Sequence, residues 1–247
     1  MAIALRTSAA ARQASSRKSA VFIVIAAFNE GRKIGLVIED LKKYGYSSIV
    51  AVDDGSSDAT VRSAEGAGAM VLRHAFNRGQ GASLKTGIEY ALRNGAEFIV
   101  TFDADGQHHA SDIVQLLEPL QAGTADIAIG SRFLLESTQK NIPLLRKVAL
   151  KAGIFFLYLL YGIHVTDSQN GLRAMTRHAA KTIEIKQDRM SHAGEILDSI
   201  HRKNLRFVEV PVHITYSDYS RSKGENRNSF VASMTIAMRL IWEKFIH

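Results

Sequence analysis

Two aspartates separated by one residue, Asp103 and Asp105, directly follow the mostly apolar segment 97–102. Carboxylates with this spacing at the end of a strand can reach one divalent cation, directly or through water. Oxygen ligands of this kind suit Mg²⁺ or Mn²⁺, and through the cation they suit a phosphate group. A D-x-D pair alone is also common in acidic turns, so the metal-binding interpretation depends on what lies nearby.

A second pair of acids, Asp53 and Asp54, follows the apolar segment 48–52. At a strand end these carboxylates could accept hydrogen bonds from a ribose or a base. The residues that follow have the composition of a turn, in which Ser57 or Asp58 can cap the next helix. Two acidic strand ends in one chain strengthen the interpretation of the D-x-D pair as functional.

The segment 79–86 (GQGASLKT) is similar to a phosphate-binding P-loop, but Leu84 stands where that loop needs glycine. The dinucleotide-binding fingerprint fails as well, because Gly79 and Gly81 lack the third glycine and do not follow the first strand. The sequence therefore argues against an ATPase and a dehydrogenase. It predicts a helix N-terminus that packs closely or lies near an anion.

Basic side chains recur beside the loops of the second half of the chain, and each one alone is most simply a surface charge. The polar stretch 219–227 contains a glycine and could close over a diphosphate. His108 and His109 follow the acidic pair, but no further residue completes a histidine metal site. The basic residues are Arg132, Arg146, Arg173, Arg221, Lys223 and Arg227.

The composition of the 247 residues, 46% hydrophobic and 22% charged, is typical of a globular protein. The absence of cysteine excludes a disulfide framework, a cysteine zinc site and a cysteine nucleophile. The net charge of +7 favours anionic partners. Residues 1–20 carry four basic residues and no acid, which predicts a disordered basic tail, with a transit peptide as the alternative. No recognition motif accompanies this charge, so we expect no nucleic-acid partner.

Strand-like and helix-like segments alternate from Val21 onward, which predicts an α/β fold with a mostly parallel central sheet flanked by helices. In such sheets ligands bind at the carboxyl ends of the strands, where the acidic residues stand. The predicted strands are 21–27, 48–52, 69–72, 97–102 and 125–129. The predicted helices are 34–43, 58–66, 80–93 and 111–120, the last with Ser111 as its cap.

The most apolar segment, residues 142–163, contains a run of twelve residues without a charge, 152–163. A membrane-spanning helix needs about 20 such residues. The segment therefore predicts either a core helix or an amphipathic helix lying on a membrane surface. A second apolar stripe covers 231–245. No repeat or linker divides the chain, so we expect residues 21–247 to form one domain.

Motifs spread over nearly the whole chain resemble family 2 glycosyltransferases with the GT-A fold. The branch they resemble is the dolichyl-phosphate mannosyltransferase type with its bacterial polyprenyl-phosphate relatives. Ala26 stands where this group usually has proline, and Phe28 where it usually has tyrosine. The motifs are AAFNE (26–30), VDDGSSD (52–58), NRGQG (77–81), FDADGQH (102–108), GSR (130–132), DSQNGLR (167–173), EVPV (209–212) and the loop around Arg221.

The resemblance implies an inverting transferase that takes a hexose from a nucleotide-diphosphate sugar of the GDP-mannose or UDP-glucose type, with Mg²⁺ or Mn²⁺ as cofactor. Asp105 and Arg132 would then act at the reacting centre. The metal is assigned to Asp103, Asp105 and Gln107, and the acceptor phosphate to Arg146 and Arg173. The nucleotide-sugar pocket is assigned to Ala26, Phe28, Glu30, Val52, Asp53, Asp54, Asp103, Ala104, Asp105, Arg132, Arg221 and Arg227.

The acceptor decides whether a catalytic base is needed. A lipid phosphate is already anionic at pH 7, whereas a sugar hydroxyl needs a carboxylate base. Family members with hydroxyl acceptors usually supply a Glu-Asp pair before a late helix, and here that region holds one acid, Glu195. We therefore predict a polyprenyl phosphate acceptor, dolichyl or undecaprenyl, at the cytoplasmic face of a membrane, where a transmembrane partner subunit could take part. The alternative is an enzyme that extends a glycan or another hydroxyl acceptor, with Glu195 as its base.

Overall fold

The computed structural model describes residues 20–135, 154, 158, 162–188 and 192–215. These residues form one seven-stranded sheet with helices on both faces. The strands are β1 (Val21–Ala27), β2 (Ser48–Asp53), β3 (Met70–Arg73), β4 (Phe98–Asp103), β5 (Ile127–Ser131), β6 (Arg173–Thr176) and β7 (Phe207–Pro211). The helices are α1 (Ile34–Lys43), α2 (Thr60–Gly66), α3 (Gln80–Arg93), α4 (Ile113–Gln121), α5 (Arg177–Thr182) and α6 (His192–Arg202).

The order of strands in the sheet is β3-β2-β1-β4-β6-β5-β7. Neighbouring strands are parallel except at β6, which runs antiparallel to both β4 and β5. The predicted mostly parallel sheet is therefore confirmed. Because β6 is reversed, its first residue, Arg173, lies at the same edge of the sheet as the carboxyl ends of its two neighbours.

The register of the central strands aligns the acidic strand ends. Ala27 pairs with Asp53 on one side of β1, and Ala26 pairs with Asp103 on the other side. β1 thus separates the two acidic ends by a single strand, which is about 10 Å across the sheet. The alternation of buried strands and helices accordingly gathers the acidic residues at one edge.

The core consists of two apolar layers, one on each face of the sheet. Side chains alternate along β1, so Ile23 and Ile25 pack with α1, α2 and α4, whereas Val24 packs with α3, α5 and α6. α3 lies very close to the sheet because residue 87 is glycine. A Cβ atom at Gly87 would lie 2.3 Å from Val24 Cγ1, so this close approach needs the missing side chain.

The bounds of β1, α1 and α3 are those that the sequence predicts, and the other predicted elements differ by one or two residues at an end. The predicted cap at Ser111 is wrong. Ser111 lies inside a 3₁₀ turn, Ala110–Asp112, and α4 begins after it without a side-chain cap. The carboxylate of Asp112, the residue before α4, bonds elsewhere in the fold, as described below.

Both apolar segments of the sequence, 142–163 and 231–245, lie outside the described residues except for positions 154, 158, 162 and 163. The predicted tail, 1–20, lies outside them except for Ala20. Within the part of the chain that the structure describes, no helix has the length and apolar character needed to cross a membrane.

Candidate active site

The carboxylate of Asp103, the last residue of β4, is held by two side chains. Its Oδ2 lies 2.8 Å from His108 Nε2, and its Oδ1 accepts a 3.2 Å hydrogen bond from Gln80 Nε2 at the start of α3. Burial by itself raises the pKa of Asp103, but the hydrogen bond with His108 and the nearby charge of Arg173 outweigh it. The pKa is therefore held below its usual range, and Asp103 is an anion at neutral pH.

Gly171 makes the room that Asp103 occupies. A Cβ atom at position 171 would lie 2.4 Å from both carboxylate oxygens of Asp103, which is far inside van der Waals contact. The carbonyl of Gly171 accepts a 2.6 Å hydrogen bond from Thr101 Oγ1, which fixes it against β4. The presence of glycine at position 171 is thus explained by Asp103, which belongs to the motif 102–108.

Arg173 lies at the start of β6 and is 2% exposed. Its Nη2 donates a 3.0 Å hydrogen bond to the carbonyl of Ser168, while Nε and Nη1 find no partner among the described residues. Burial lowers the pKa of Arg173, and the charges of Asp103 and Asp167 act against that shift. The predicted direct contact between Arg173 and an acceptor phosphate does not fit this burial. Its charge acts on Asp103 instead.

Residues 103–107 form the acidic turn that follows β4. Asp105 Oδ1 accepts a 2.9 Å hydrogen bond from the backbone N–H of Gln107, and Gln107 itself is buried. The side-chain oxygens of Asp103, Asp105 and Gln107 are hard donors, so this set fits Mg²⁺ or Mn²⁺. Within the described ranges, no three histidine, cysteine, aspartate or glutamate side chains are grouped for a metal ion. A cation at this turn therefore needs Gln107 or other ligands besides the two aspartates.

Asp54, predicted to contact the nucleotide, is 3% exposed and is used inside the protein. Its Oδ1 lies 2.7 Å from His74 Nδ1 and accepts a 3.0 Å bond from Arg78 N, while Oδ2 accepts a 2.6 Å bond from Gly79 N. His74 Nε2 in turn lies 3.0 Å from Thr86 Oγ1 on α3. Asp54 therefore orders the loop that leads into α3.

Four other predicted pocket residues are also buried. Asp53 is 1% exposed, and its two carboxylate oxygens each lie 3.3 Å from the backbone nitrogen of Ser56. Glu30 is buried at the turn after β1. The side chains of Val52 and Ala104 are 0% and 3% exposed, so the prediction that they line a ligand pocket does not fit their burial in the core.

Aromatic surface is available at the same edge of the sheet. Phe28, directly after β1, is 44% exposed and keeps a face on which a base could stack, while Ala26 is half-buried against the α3 face. Phe76, directly before the 77–81 motif, is 69% exposed and offers a second aromatic face, which the sequence patterns do not single out.

Arg132 extends from the end of β5 and is fixed by Asp167. Its Nε donates a 2.7 Å hydrogen bond to Asp167 Oδ2, and its backbone N–H donates to the same oxygen at 3.1 Å. The backbone around Asp167 is held in turn by Glu209. Its Oε1 accepts hydrogen bonds from Thr166 N at 2.8 Å and from Asp167 N at 3.2 Å. Burial raises the pKa of Glu209. Asp167 and Glu209 therefore position Arg132. In the sequence, the one sign of this role is that both acids belong to the motifs 167–173 and 209–212.

Glu195, the predicted base for a hydroxyl acceptor, lies in the first turn of α6. Its Oε2 accepts hydrogen bonds of 2.9 Å from the backbone N–H groups of both Lys186 and Gln187. This carboxylate therefore fixes the preceding turn, and its role as a base stays a prediction.

Three predicted phosphate-binding residues, Arg146, Arg221 and Arg227, lie outside the described residues. The last described residue, Thr215, donates a 2.9 Å hydrogen bond from its backbone N–H to the carbonyl of Gln107. The assignment of the three arginines to phosphate groups stays a prediction.

The fold is similar to that of solved GT-A glycosyltransferases. Glucosyl-3-phosphoglycerate synthase from Mycobacterium tuberculosis, in complex with Mg²⁺ and UDP, matches 91% of this chain and 81% of its own chain, with a TM-score of 0.60 and 18% identity. The complex of that enzyme with Mn²⁺, UDP-glucose and phosphoglyceric acid matches 91% and 82%, with a TM-score of 0.59 and 17% identity. The fold is thus the α/β GT-A fold, as the sequence resemblance implies.

Residues 22–183 match the family described as Glycosyl transferase family 2, and the chain belongs to this family. It is 42% identical to an uncharacterized protein of Methanocaldococcus jannaschii over 229 residues, covering 92% of this chain and 93% of the relative. It is 32% identical over 225 residues to the UDP-N-acetylglucosamine–dolichyl-phosphate N-acetylglucosaminyltransferase of Methanococcus voltae, with coverages of 83% and 90%. The undecaprenyl-phosphate mannosyltransferase of Micrococcus luteus is 29% identical over 212 residues, with coverages of 82% and 86%. These named homologues are polyprenyl-phosphate sugar transferases, which confirms the predicted family and branch.

Proposed function

We propose that this protein transfers a hexose from a nucleotide-diphosphate sugar to a polyprenyl phosphate, with inversion at the sugar C1 and with Mg²⁺ or Mn²⁺. The observation that supports this most strongly is the acidic turn 103–107, at the same sheet edge as Arg132 and the exposed Phe28. The named homologues use UDP-N-acetylglucosamine or transfer mannose, so the donors to test include both sugar types.

The reaction forms one bond and breaks another. An oxygen of the lipid phosphate donates an electron pair to C1 of the sugar, while the bond from C1 to the diphosphate oxygen breaks. The nucleoside diphosphate leaves with that electron pair. Because the attacking phosphate oxygen is already an anion at pH 7, no proton has to be removed and no strong base is needed.

The described side chains supply positive charge and orientation for this step. Asp105 and Gln107 would hold the cation, with Asp103 beside them as an anion fixed by His108 and Gln80. When bound, the cation neutralises negative charge on the leaving diphosphate. Arg132 adds a permanent positive charge, and its bond to Asp167 fixes the direction of its guanidinium. Arg221 and Arg227 are the remaining proposed phosphate contacts.

The lipid phosphate places the reaction at a membrane surface, which we propose is the cytoplasmic face, where nucleotide sugars are available. Arg146 is the proposed acceptor contact, and a transmembrane partner could present the lipid. The hydroxyl-acceptor alternative relies on Glu195 as base. The two backbone N–H groups bonded to its Oε2 favour a structural role instead, because the carboxylate already fixes the turn before α6.

The test is the release of nucleoside diphosphate by the purified full chain with Mn²⁺ or Mg²⁺. Donors are GDP-mannose, UDP-glucose and UDP-N-acetylglucosamine, each with a short-chain polyprenyl phosphate, with a sugar acceptor, or alone. We expect release from one donor only when metal and lipid phosphate are both present. Release that requires a sugar hydroxyl and is abolished by Glu195→Gln would overturn the lipid-phosphate acceptor. No release from any donor would contradict transfer by this chain alone.

A further inference from the structure

Asp112 is a buried residue at the start of α4 whose carboxylate bonds to a distant segment instead of to its own helix. It is 2% exposed and stands at the N-cap of α4, where an aspartate normally accepts hydrogen bonds from the first N–H groups of its own helix. Neither oxygen does so. Oδ2 accepts a 2.7 Å bond from the backbone N–H of His213, and Oδ1 lies 3.1 Å from Nδ1 of the same residue. The carboxylate thus joins two residues that are 101 positions apart in the sequence.

The residues that Asp112 holds, 213–215, lie along the end of the acidic turn. Ile214 forms an antiparallel bridge with His108, and Thr215 N donates a 2.9 Å hydrogen bond to the carbonyl of Gln107. His109 Nε2 also lies 2.8 Å from Thr215 Oγ1, and its ring meets the ring of His213 edge-on with centroids 5.9 Å apart. The turn and the segment after β7 are therefore joined at four successive points.

Both backbone groups of Gln107 are fixed as a result. Its N–H is bonded to Asp105 Oδ1, and its carbonyl is bonded to Thr215 N. The second bond is connected to the sheet, because Val212, just before this segment, donates a 3.2 Å hydrogen bond to the carbonyl of Ser131. The position of the Gln107 backbone thus depends on the segment after the edge strand β7 as well as on β4.

We infer that Asp112 is a positioning residue for the acidic turn. By holding His213, it keeps residues 214 and 215 paired with residues 107 and 108, and it thereby fixes the backbone that carries the Gln107 side chain, a proposed ligand of the cation. This inference rests on the proposed function, since it assigns Gln107 to the cation. A carboxylate that served α4 alone would bond to the N–H groups of α4.

The test measures binding of Mn²⁺ in the presence of UDP or GDP by the full chain, from the electron paramagnetic resonance signal of free Mn²⁺. Residues that orient metal ligands typically contribute 10–100-fold to affinity, so we expect Asp112→Ala to weaken Mn²⁺ binding by about 10-fold or more. Asp112→Asn keeps one oxygen for the His213 N–H and should weaken binding less. In transfer assays, the KM for the metal should rise more than the KM for the lipid phosphate.

Ile113→Val is the matched control, because it removes one buried methylene at the same helix start without touching His213. It should bind Mn²⁺ like the wild type. If Asp112→Ala does not fold, Asp112→Asn carries the test. His213→Ala changes a side chain that is 60% exposed and, of the two bonds to Asp112, removes only the 3.1 Å contact to Oδ1, so it should weaken Mn²⁺ binding less than Asp112→Ala.

Two results would overturn the inference, and they are distinguishable. A folded Asp112→Ala variant that binds Mn²⁺ as tightly as the wild type would show that Asp112 does not position the turn, with the proposed function intact. A wild-type chain that binds no Mn²⁺ with either nucleotide would overturn both proposals.

Discussion

The two acidic strand ends look alike in the sequence but differ in the structure. Asp53 and Asp54 are buried, and their oxygens bond mostly to backbone N–H groups of nearby loops. In the acidic turn, the bonds that the described residues make to the Asp103 carboxylate come from side chains, and its own side chain is 30% exposed. We conclude that the first pair builds the loops around the site, whereas the second pair remains suited to bind a ligand.

The geometry of the backbone explains this difference. Asp53 and Asp54 are consecutive, so their side chains point to different sides: Asp53 toward Ser56 and Asp54 toward the loop before α3. Asp103 and Asp105 have one residue between them, and Gly106, with φ 77°, turns the chain directly after them. The second arrangement keeps both carboxylates on one turn.

The largest expected effect follows the removal of Asp105. We expect Asp105→Ala to lower kcat/KM at least about 100-fold, because the proposed cation loses an anionic ligand, while the free energy of unfolding stays close to that of the wild type. Steady-state kinetics and urea unfolding check both parts. Glu89→Gln, on the exposed face of α3, is the control and should leave activity unchanged.

Asp54→Ala should instead affect the free energy of unfolding more than the activity. It leaves two backbone N–H groups and the buried His74 without their acceptor, so we expect the free energy of unfolding to fall by about 3 kcal/mol. Urea unfolding measures this loss. A variant that kept its stability but lost donor binding would show that Asp54 binds the nucleotide directly, and it would remove the contrast between the two acidic pairs.

Gly171→Ala tests whether Asp103 must lie where it does. The added Cβ would overlap the carboxylate, so we expect a loss of about 1–3 kcal/mol in stability together with weaker Mn²⁺ binding. Gly66→Ala is a useful control, because nothing lies within 4 Å of a Cβ there. Unchanged Mn²⁺ affinity in a folded Gly171→Ala variant would separate Asp103 from the proposed metal site.

The smallest effect concerns Asp126, an acid at the opposite edge of the sheet. Its hydrogen bond with Arg206 holds the pKa of Asp126 below its ordinary value of 3.8. A lowered pKa in the folded state contributes stability above pH 3.8 that is lost as the pH falls through the folded value. The melting temperatures of the wild type and of Asp126→Asn, measured between pH 6 and pH 2.5, should converge only below about pH 4. Transferase activity should not change in this variant.

The sequence predicts the sheet well because buried strands and amphipathic helices have strong patterns, as β1 and α3 show. It also places the acids at the correct edge, since parallel strands end together. It does not reveal which acids are used internally. The bonds of Asp54 to Gly79 and of Asp112 to His213 join residues 25 and 101 positions apart, and composition and spacing carry no signal for such pairings.

Residues whose types suggest ligand binding can also be buried by tertiary packing. Arg173 belongs to a basic set that resembles phosphate contacts, yet the reversed strand β6 places it inside the sheet edge beside Asp103. A basic residue at the start of an antiparallel strand has the same sequence signal as one in an exposed loop. Only the topology, with β6 inserted between β4 and β5, distinguishes them.

The most direct measurement of the central claim is the mass of the lipid product. The full chain would be incubated with Mn²⁺, a nucleotide sugar and a short-chain polyprenyl phosphate, and the extracted lipid analysed by mass spectrometry. We predict a product heavier than the lipid phosphate by one sugar residue, formed by the wild type and by Glu89→Gln but not by Asp105→Ala. Unmodified lipid, with the sugar found instead on a hydroxyl acceptor or released to water, would contradict the account.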